Sequence, residues 1–193
     1  MAPGCRSARA DLRSAETSCC KTYRGDTGCR GRHTALERDL SLQAGNSLAR
    51  GRPKAWLPQQ EGGWEATWFD RGPQNVLPVR DGELCFAELV CTELMVSTAA
   101  RRLGQAGVQL IAAPRATSGH PRWDVAVRMA AIAAGAFVVT ANRRGALAGG
   151  SWIVAPDGDI LARTSEDNPL ISLEIDLSAA DAAKLTYPRN VRD

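Results

Sequence analysis

Histidine is almost absent from this chain, and lysine is nearly as scarce. There are two histidines, His33 and His120, so a site built on several imidazoles is excluded. The lysines are only Lys21, Lys54 and Lys184, whereas arginine is abundant. No uninterrupted apolar run approaches the roughly 20 residues that span a bilayer, and the N-terminus lacks the apolar core of a secretion signal. We therefore expect a cytoplasmic protein with no membrane partner.

The cysteine spacing matches no common metal module. Six cysteines are present, but no CxxC pair occurs. His33 is the only histidine near the N-terminal group, which consists of Cys5, Cys19, Cys20 and Cys29. Disulfides are not expected without a secretion signal. We predict no metal site and no cofactor.

The first 45 residues differ in composition from the rest. Large apolar residues are sparse there, and no period persists except a pattern that predicts a short helix over Thr34–Gln43. Such a segment buries too little surface to offset its ordering entropy. We predict a low-complexity, disordered arm over residues 1–45, with a gene-model artefact as the alternative.

Positive charge is concentrated in the same region. Residues 1–53 carry ten basic and five acidic side chains, in a chain whose net charge is +3. A basic arm can bind nucleic acid, but Tyr23 is the single aromatic residue among these charges. We favour a solvated tail and expect no nucleic-acid partner.

Residues 46–193 have the alternating pattern of an α/β domain. Strands that alternate with helices predict a sheet flanked by helices, and hairpin signals predict that the sheet is mixed. The predicted strands are Val76–Val79, Glu83–Val90, Val108–Ala113 (ended by Pro114), Phe137–Thr140, Trp152–Ala155, Ile160–Arg163 and Leu170–Ile175. The predicted helices are Val96–Gln105, Arg122–Gly135 and Ala179–Leu185.

Cys91 lies at a predicted strand-to-helix turn, which is a favourable position for a nucleophile. The unpaired amides and the dipole at a helix N-terminus favour a thiolate and can hold an oxyanion. Such a thiol needs a base and a charge stabiliser. A Cys91–His120 dyad is one alternative, although no local sequence supports it. Lys54, followed by an aromatic residue and Pro58, is the other candidate partner.

A set of short motifs occurs in order from about residue 46 to Asp193. The motifs are Lys54 in KAWLP, the Glu65…Phe69…Gly72 spacing, Cys91 in LVCTE, Ala113-Pro114-Arg115, Ala141-Asn142-Arg143, Gly149-Gly150-Ser151, Pro156-Asp157-Gly158 and Tyr187-Pro188-Arg189. Together they resemble the nitrilase, or carbon–nitrogen hydrolase, superfamily. Each motif is weak alone, and the order and spacing carry the resemblance.

The resemblance implies a four-layer α-β-β-α sandwich that hydrolyses a small amide, carbamoyl or nitrile compound. Cys91 would form a thioester, and Lys54 would stabilise the developing negative charge. Glu65 matches the glutamate that assists the family's Glu–Lys–Cys triad. The amide of Thr92 would complete the oxyanion site. The family also implies a homo-oligomer, a dimer or larger.

Three further residues are candidates on the oxyanion or substrate side of the site: Glu93, Arg115 and Asn142. Two of them have a structural alternative. Glu93 could hydrogen-bond backbone amides near the turn, and Asn142 could cap the end of its strand. Cys85 is expected to be a small buried strand residue rather than a second nucleophile.

The family's general base has no match in this sequence. That base is a glutamate after an N-terminal strand, upstream of the lysine. Glu16 and Glu37 are the only glutamates before Lys54, and neither follows a buried strand. We therefore expect an incomplete sandwich that lacks its N-terminal part and has impaired activity. The alternative is a catalytically inactive remnant or partner subunit.

Overall fold

The computed structural model describes residues 38–43, 47–61, 63–143, 145 and 149–191, and it describes side chains from residue 52 onward. Its strands are β1 (Arg38–Gln43), β2 (Ser47–Pro53), β3 (Val79–Asp81), β4 (Leu84–Glu88), β5 (Leu110–Arg115), β6 (Phe137–Asn142), β7 (Trp152–Val154) and β8 (Ile160–Arg163). Its α-helices are α1 (Glu65–Trp68), α2 (Ser97–Gln105), α3 (Arg122–Ala134) and α4 (Ser178–Lys184), and a 3-10 helix covers Cys91–Met95.

A mixed sheet in the order β3-β4-β5-β6-β7-β8 forms the centre of the fold. Strands β4, β5 and β6 are parallel, and the pairs on either side of them are antiparallel. The register aligns Ala87 with Ile111 and Ile111 with Val138. Strands β1 and β2 form a separate antiparallel pair. The predicted α/β fold, a mixed sheet flanked by helices, is confirmed.

Helices α2 and α3 cover one face of this sheet and contact each other closely. Buried Leu103 and Val127 belong to the same core cluster as Ile111 and Val138 of the sheet. Gly104 permits the close contact between the helices, because a Cβ there would lie 2.2 Å from the Ala134 carbonyl oxygen. The sheet and these two helices therefore form the rigid support for the turn at residue 91.

The predicted strand Leu170–Ile175 is wrong. This segment is irregular, and Leu170 and Leu173 are 68% and 45% exposed. An alternating pattern gives a strand only where a neighbouring strand accepts its hydrogen bonds, and none of the described strands pairs with it. Strand β3 also begins later than predicted, at Val79 rather than Val76.

Pro114 does not end its strand, contrary to the prediction. β5 continues to Arg115 and pairs with β6 along its whole length. The carbonyl of Ala112 accepts from the Leu89 N–H on the β4 side, so the backbone of Pro114 also points to that side. The β4 pairing stops at Glu88. The missing N–H of proline therefore costs no ladder hydrogen bond.

The helix predicted over Thr34–Gln43 is also corrected, because its described part is strand β1, which pairs with β2. Leu40 and Leu42 alternate with polar residues, a period of two that is typical of a strand. Residues 1–37 lie outside the described residues, so most of the predicted arm and the division at residue 45 remain predictions. Among the described residues, no helix is long and apolar enough to cross a membrane.

Candidate active site

Cys91 occupies a strained turn between β4 and the 3-10 helix that leads into α2. Its φ of +50° makes it the only non-glycine residue with positive φ in the described part of the chain. L-residues adopt this region at an energetic cost, and such strain clusters at functional sites. Within the described residues, no hydrogen bond occupies the backbone N–H groups of Cys91 and Thr92. The turn thus presents a half-buried thiol beside two available donors.

Lys54 follows β2 directly and is 2% exposed. Its Nζ donates to Oε2 of Glu65, the first residue of α1. The segment that carries Glu65 then returns to Lys54, since the Gly72 N–H donates to the Lys54 carbonyl at 2.8 Å. A Cβ at Gly72 would lie 2.3 Å from the Pro53 carbonyl oxygen, so only glycine fits there. The predicted pair of Lys54 and Glu65 is therefore in direct contact.

Glu93 lies behind the Cys91 turn and is completely buried. Its Oε1 accepts from the Ala55 N–H at 2.7 Å and from Arg52 Nη1 at 3.0 Å. Its Oε2 accepts from the Val90 N–H at 2.8 Å and from Arg52 Nη2. The alternative in which Glu93 hydrogen-bonds backbone amides near the turn is confirmed.

Arg52 is a part of this arrangement that sequence reasoning missed. Its partner Glu93 lies 41 positions away, so no local pattern connects the two. One local signal for Glu93 itself was present. Val90 precedes the 3-10 helix and Glu93 is its third residue, the spacing at which a glutamate returns to the N-cap N–H.

Arg115 ends β5 beside the Cys91 turn. The parallel register pairs Glu88, three residues before Cys91, with Ala112, three residues before Arg115. Arg115 is 4% exposed, and burial lowers its pKa to about 10, while the nearby Cys91 charge opposes that shift. At neutral pH the guanidinium is therefore a buried cation close to the thiol.

Neutral groups surround the Arg115 guanidinium. Nη1 donates to Thr117 Oγ1 at 2.9 Å, Nη2 donates to the Gly150 carbonyl at 2.7 Å, and the guanidinium lies 4.1 Å from the Trp152 ring centroid. Asn142 fixes the same loop, since its Oδ1 accepts from the Thr117 N–H and its Nδ2 donates to the Thr117 carbonyl, both at 2.9 Å. Asn142 thus supports the end of its strand.

The remaining candidates do not join this cluster. His120 is exposed, and its Nδ1 accepts from the Arg122 backbone and side chain. No hydrogen bond connects His120 to Cys91 among the described residues. Cys85 is buried on β4, as predicted. Within the ranges that the structure describes, no group of His, Cys, Asp or Glu could hold a metal ion.

A groove among the described residues lies away from this cluster. Its volume is about 520 Å³, and its lining includes Phe137, Leu161 and Ala182. Phe137 begins β6, whereas Cys91 follows the carboxyl end of the parallel strand β4. The groove and the Cys91 turn are therefore at opposite edges of the sheet.

Comparison with known protein families agrees with the fold. Residues 37–185 match the family model described as carbon-nitrogen hydrolase. The chain belongs to the carbon-nitrogen hydrolase family. None of the curated proteins compared with the chain matches it.

Several solved structures share the fold at low sequence identity. The carbon-nitrogen hydrolase from Helicobacter pylori G27 is 21% identical with a TM-score of 0.74, over 84% of this chain and 64% of its own. Saccharomyces cerevisiae Nit3, a member of branch 10 of the nitrilase superfamily, is 19% identical with a TM-score of 0.64, over 74% and 54%. A mutant of the amidase from Nesterenkonia sp. AN1, with acrylamide added at its active-site cysteine, is 24% identical with a TM-score of 0.53, over 60% and 47%. The chain thus spans less than two thirds of each relative.

Proposed function

We propose that the protein hydrolyses a non-peptide carbon–nitrogen bond in a small amide, carbamoyl or nitrile compound through a thioester at Cys91. The observation that carries this proposal is the Cys91 turn, where a strained thiol lies beside two available backbone donors. Family membership and the Lys54–Glu65 contact support it. On the resemblance alone we add that the protein is a homo-oligomer, a dimer or larger, and the cytoplasmic location expected from the sequence remains a proposal.

For an amide, the reaction has two halves. Cys91 Sγ attacks the carbonyl carbon, the C–S bond forms, and the C–N bond then breaks as the leaving nitrogen takes a proton. Water next attacks the thioester carbon, which releases the carboxylic acid and restores the thiol. Dividing one difficult step into two easier ones is the advantage of a covalent intermediate.

The neighbouring groups have complementary roles in this proposal. Negative charge develops on the substrate oxygen during the attack, and the Lys54 ammonium and the Thr92 N–H stabilise it. Glu65 holds the Lys54 ammonium in place through their ion pair. Donors and charges that are fixed before the reaction need no rearrangement when the charge develops.

Proton transfer is the weak point of the proposed reaction. The thiol must lose a proton, and the leaving nitrogen must gain one. Neither Glu16 nor Glu37 matches the family's base, and both lie outside the described residues. General acid–base catalysis is typically worth about 10²–10⁴ in rate, so we propose that turnover by this chain is slow.

A catalytically inactive partner subunit is the second candidate. The observation that favours it is that neither glutamate upstream of Lys54, Glu16 or Glu37, follows a buried strand in the sequence. Such a subunit would keep the fold without completing the reaction.

Acrylamide tests the proposal, since it adds to the active-site cysteine of a mutant of the Nesterenkonia amidase. Intact-protein and peptide mass spectrometry would follow its addition to each cysteine of the full chain. We expect Cys91 to react much faster than the other cysteines, and a Cys91→Ala variant should lose only the fast phase. Ammonia release from a panel of small amides and nitriles then measures turnover.

Two results would contradict the proposal. If Cys91 reacts no faster than the other thiols and no substrate releases ammonia, the inactive subunit is favoured. If His120→Ala slows the reaction while Lys54→Met does not, the lysine-assisted mechanism is wrong.

A further inference from the structure

The polar cluster behind the turn connects the two segments that carry the proposed catalytic residues. We infer that Glu93 is a positioning residue whose carboxylate holds the Lys54 segment and the Cys91 turn at a fixed separation. This inference rests on the proposed function, because it assigns Glu93 a role in that reaction. We call the group formed by Glu93, Arg52, Ala55 and Val90 the Glu93 clamp.

Each carboxylate oxygen of Glu93 accepts a hydrogen bond from the backbone of one of the two segments. Oε1 accepts from the N–H of Ala55, the residue after Lys54, at 2.7 Å. Oε2 accepts from the N–H of Val90, the residue before Cys91, at 2.8 Å. One rigid carboxylate therefore bonds to the chain next to each proposed catalytic residue, although those residues are 37 positions apart in the sequence.

Arg52 completes the Glu93 clamp from a third direction. Its two terminal nitrogens each donate to one Glu93 oxygen, which is the fork geometry that orients a carboxylate. Nη2 also donates to the Glu88 carbonyl at 2.8 Å, and Nη1 donates to the Pro53 carbonyl at 3.2 Å. The guanidinium thus joins the end of β2 to the end of β4. These contacts restrain the carboxylate in position and in rotation.

Complete burial makes the Glu93 clamp sensitive to any shift. A buried carboxylate is tolerated only when its oxygens are paired and hydrogen-bonded, and Glu93 has 0% exposure and two donors on each oxygen. Moving either segment would break one of those bonds without water to replace it. Because a misplacement of about 1 Å can cost about 10²-fold in rate, the fixed separation has a direct consequence for the reaction.

A double-mutant cycle tests the role of Glu93. Glutamine has the shape of glutamate but only one acceptor oxygen, so Glu93→Gln leaves either Ala55 or Val90 facing an NH₂ group. The rate of acrylamide addition at Cys91 would be measured in the full chain, in Lys54→Met, in Glu93→Gln and in the double variant. Glu83→Gln is the matched control, because Glu83 is exposed in the turn between β3 and β4, at the opposite end of β4 from the Cys91 turn.

We expect Glu93→Gln to slow addition about 10- to 100-fold in the unaltered chain and to have little further effect in the Lys54→Met background. Glu83→Gln should react like the unaltered chain. Independent structural effects would instead multiply, since uncoupled sites are additive in free energy. Non-additivity therefore separates positioning from general loss of packing. Circular dichroism would establish that each variant is folded.

The other outcomes each count against a stated claim. If Lys54→Met alone has no effect, the proposed function fails, and the inference about Glu93, which rests on it, fails as well. If Lys54→Met slows addition but its effect is equally large in Glu93→Gln, only the inference about Glu93 fails. Should Glu93→Gln not fold, Glu93→Asp keeps the charge but retracts the carboxylate, and we expect the same loss of coupling. If neither variant folds, Glu93 is a folding residue and the inference is wrong.

Discussion

The two edges of the parallel strands differ in what they bury. Five polar or charged side chains are buried among the described residues, and all lie at or near the carboxyl edge beside Cys91. They are Lys54, Glu93, Arg115, Thr117 and Thr140. At the opposite edge, the open groove is lined mainly by apolar residues such as Phe137 and Leu161.

This difference shows that an open groove is a poor guide to the proposed site in this protein. Burying a charge is costly unless it is paired, so a fold carries such groups only where other contacts maintain them. Here the cost is concentrated at one edge, beside the strained backbone of Cys91. Perturbed, buried ionisable groups are typical of functional sites, and we expect function at that edge.

The largest effect on the rate of addition at Cys91 is expected from replacing Lys54, and Lys184 at the opposite edge provides the comparison. Lys54→Met should slow acrylamide addition at Cys91 by about 10²–10³, the usual cost of removing one oxyanion-stabilising donor. Lys184, which donates to the Gly135 and Ala180 carbonyls, lies on α4 at the other edge, so Lys184→Met should leave the rate unchanged. Kinetic mass spectrometry measures both. Equal rates for the two variants would remove the distinction between the edges.

The next effect concerns the helix layer that both edges share. Gly104→Ala should destabilise the fold by about 1–3 kcal/mol through overpacking, because the new Cβ meets the Ala134 carbonyl oxygen. Gly119→Ala is the control, since nothing lies within 4 Å of its Cβ position. Urea denaturation measures the free energy of unfolding. A stable Gly104→Ala variant would mean that α2 and α3 can separate at little cost.

A smaller, pH-dependent effect is expected at the carboxyl edge. Burial raises the pKa of Glu88, the nearby Arg52 charge lowers it, and the Glu93 charge raises it again, with a net rise above 4.5. Between the pKa of Glu88 in the unfolded state and its higher pKa in the folded state, the folded state binds more protons. The free energy of unfolding therefore falls as pH rises through that interval. Glu88→Gln should be more stable than the unaltered chain at about pH 7, with the difference vanishing below the unfolded pKa. Urea denaturation at several pH values would test this, and a constant difference would contradict it.

The smallest effect is expected in the groove itself. Leu161 is 44% exposed, so Leu161→Ser should change the free energy of unfolding by no more than about 0.5 kcal/mol. The rate of addition at Cys91 should not change. A large loss of reactivity would show that the groove communicates with the thiol and would weaken the comparison between the edges.

Local sequence predicted the parts of the site that local structure determines. The turn at Cys91 was predicted from an apolar run and the helix after it. Lys54 and Glu65 were candidates through the family resemblance, and their contact was not predicted. Arg52 was not predicted because its partner, Glu93, is distant in sequence. The strand predicted at Leu170–Ile175 does not form. An alternating pattern describes a single strand and does not predict a neighbouring strand that would pair with it.

The positive φ of Cys91 has a consequence for how this protein could be studied without a known substrate. Glycine adopts that conformation without steric cost, whereas cysteine pays about 1–3 kcal/mol. A change of that size alters the cellular abundance of a marginally stable protein several-fold. Selection for abundance alone would thus favour glycine at position 91, and selection for activity would retain cysteine. The residue that rises to dominance under each growth condition would reveal when the cell needs the thiol.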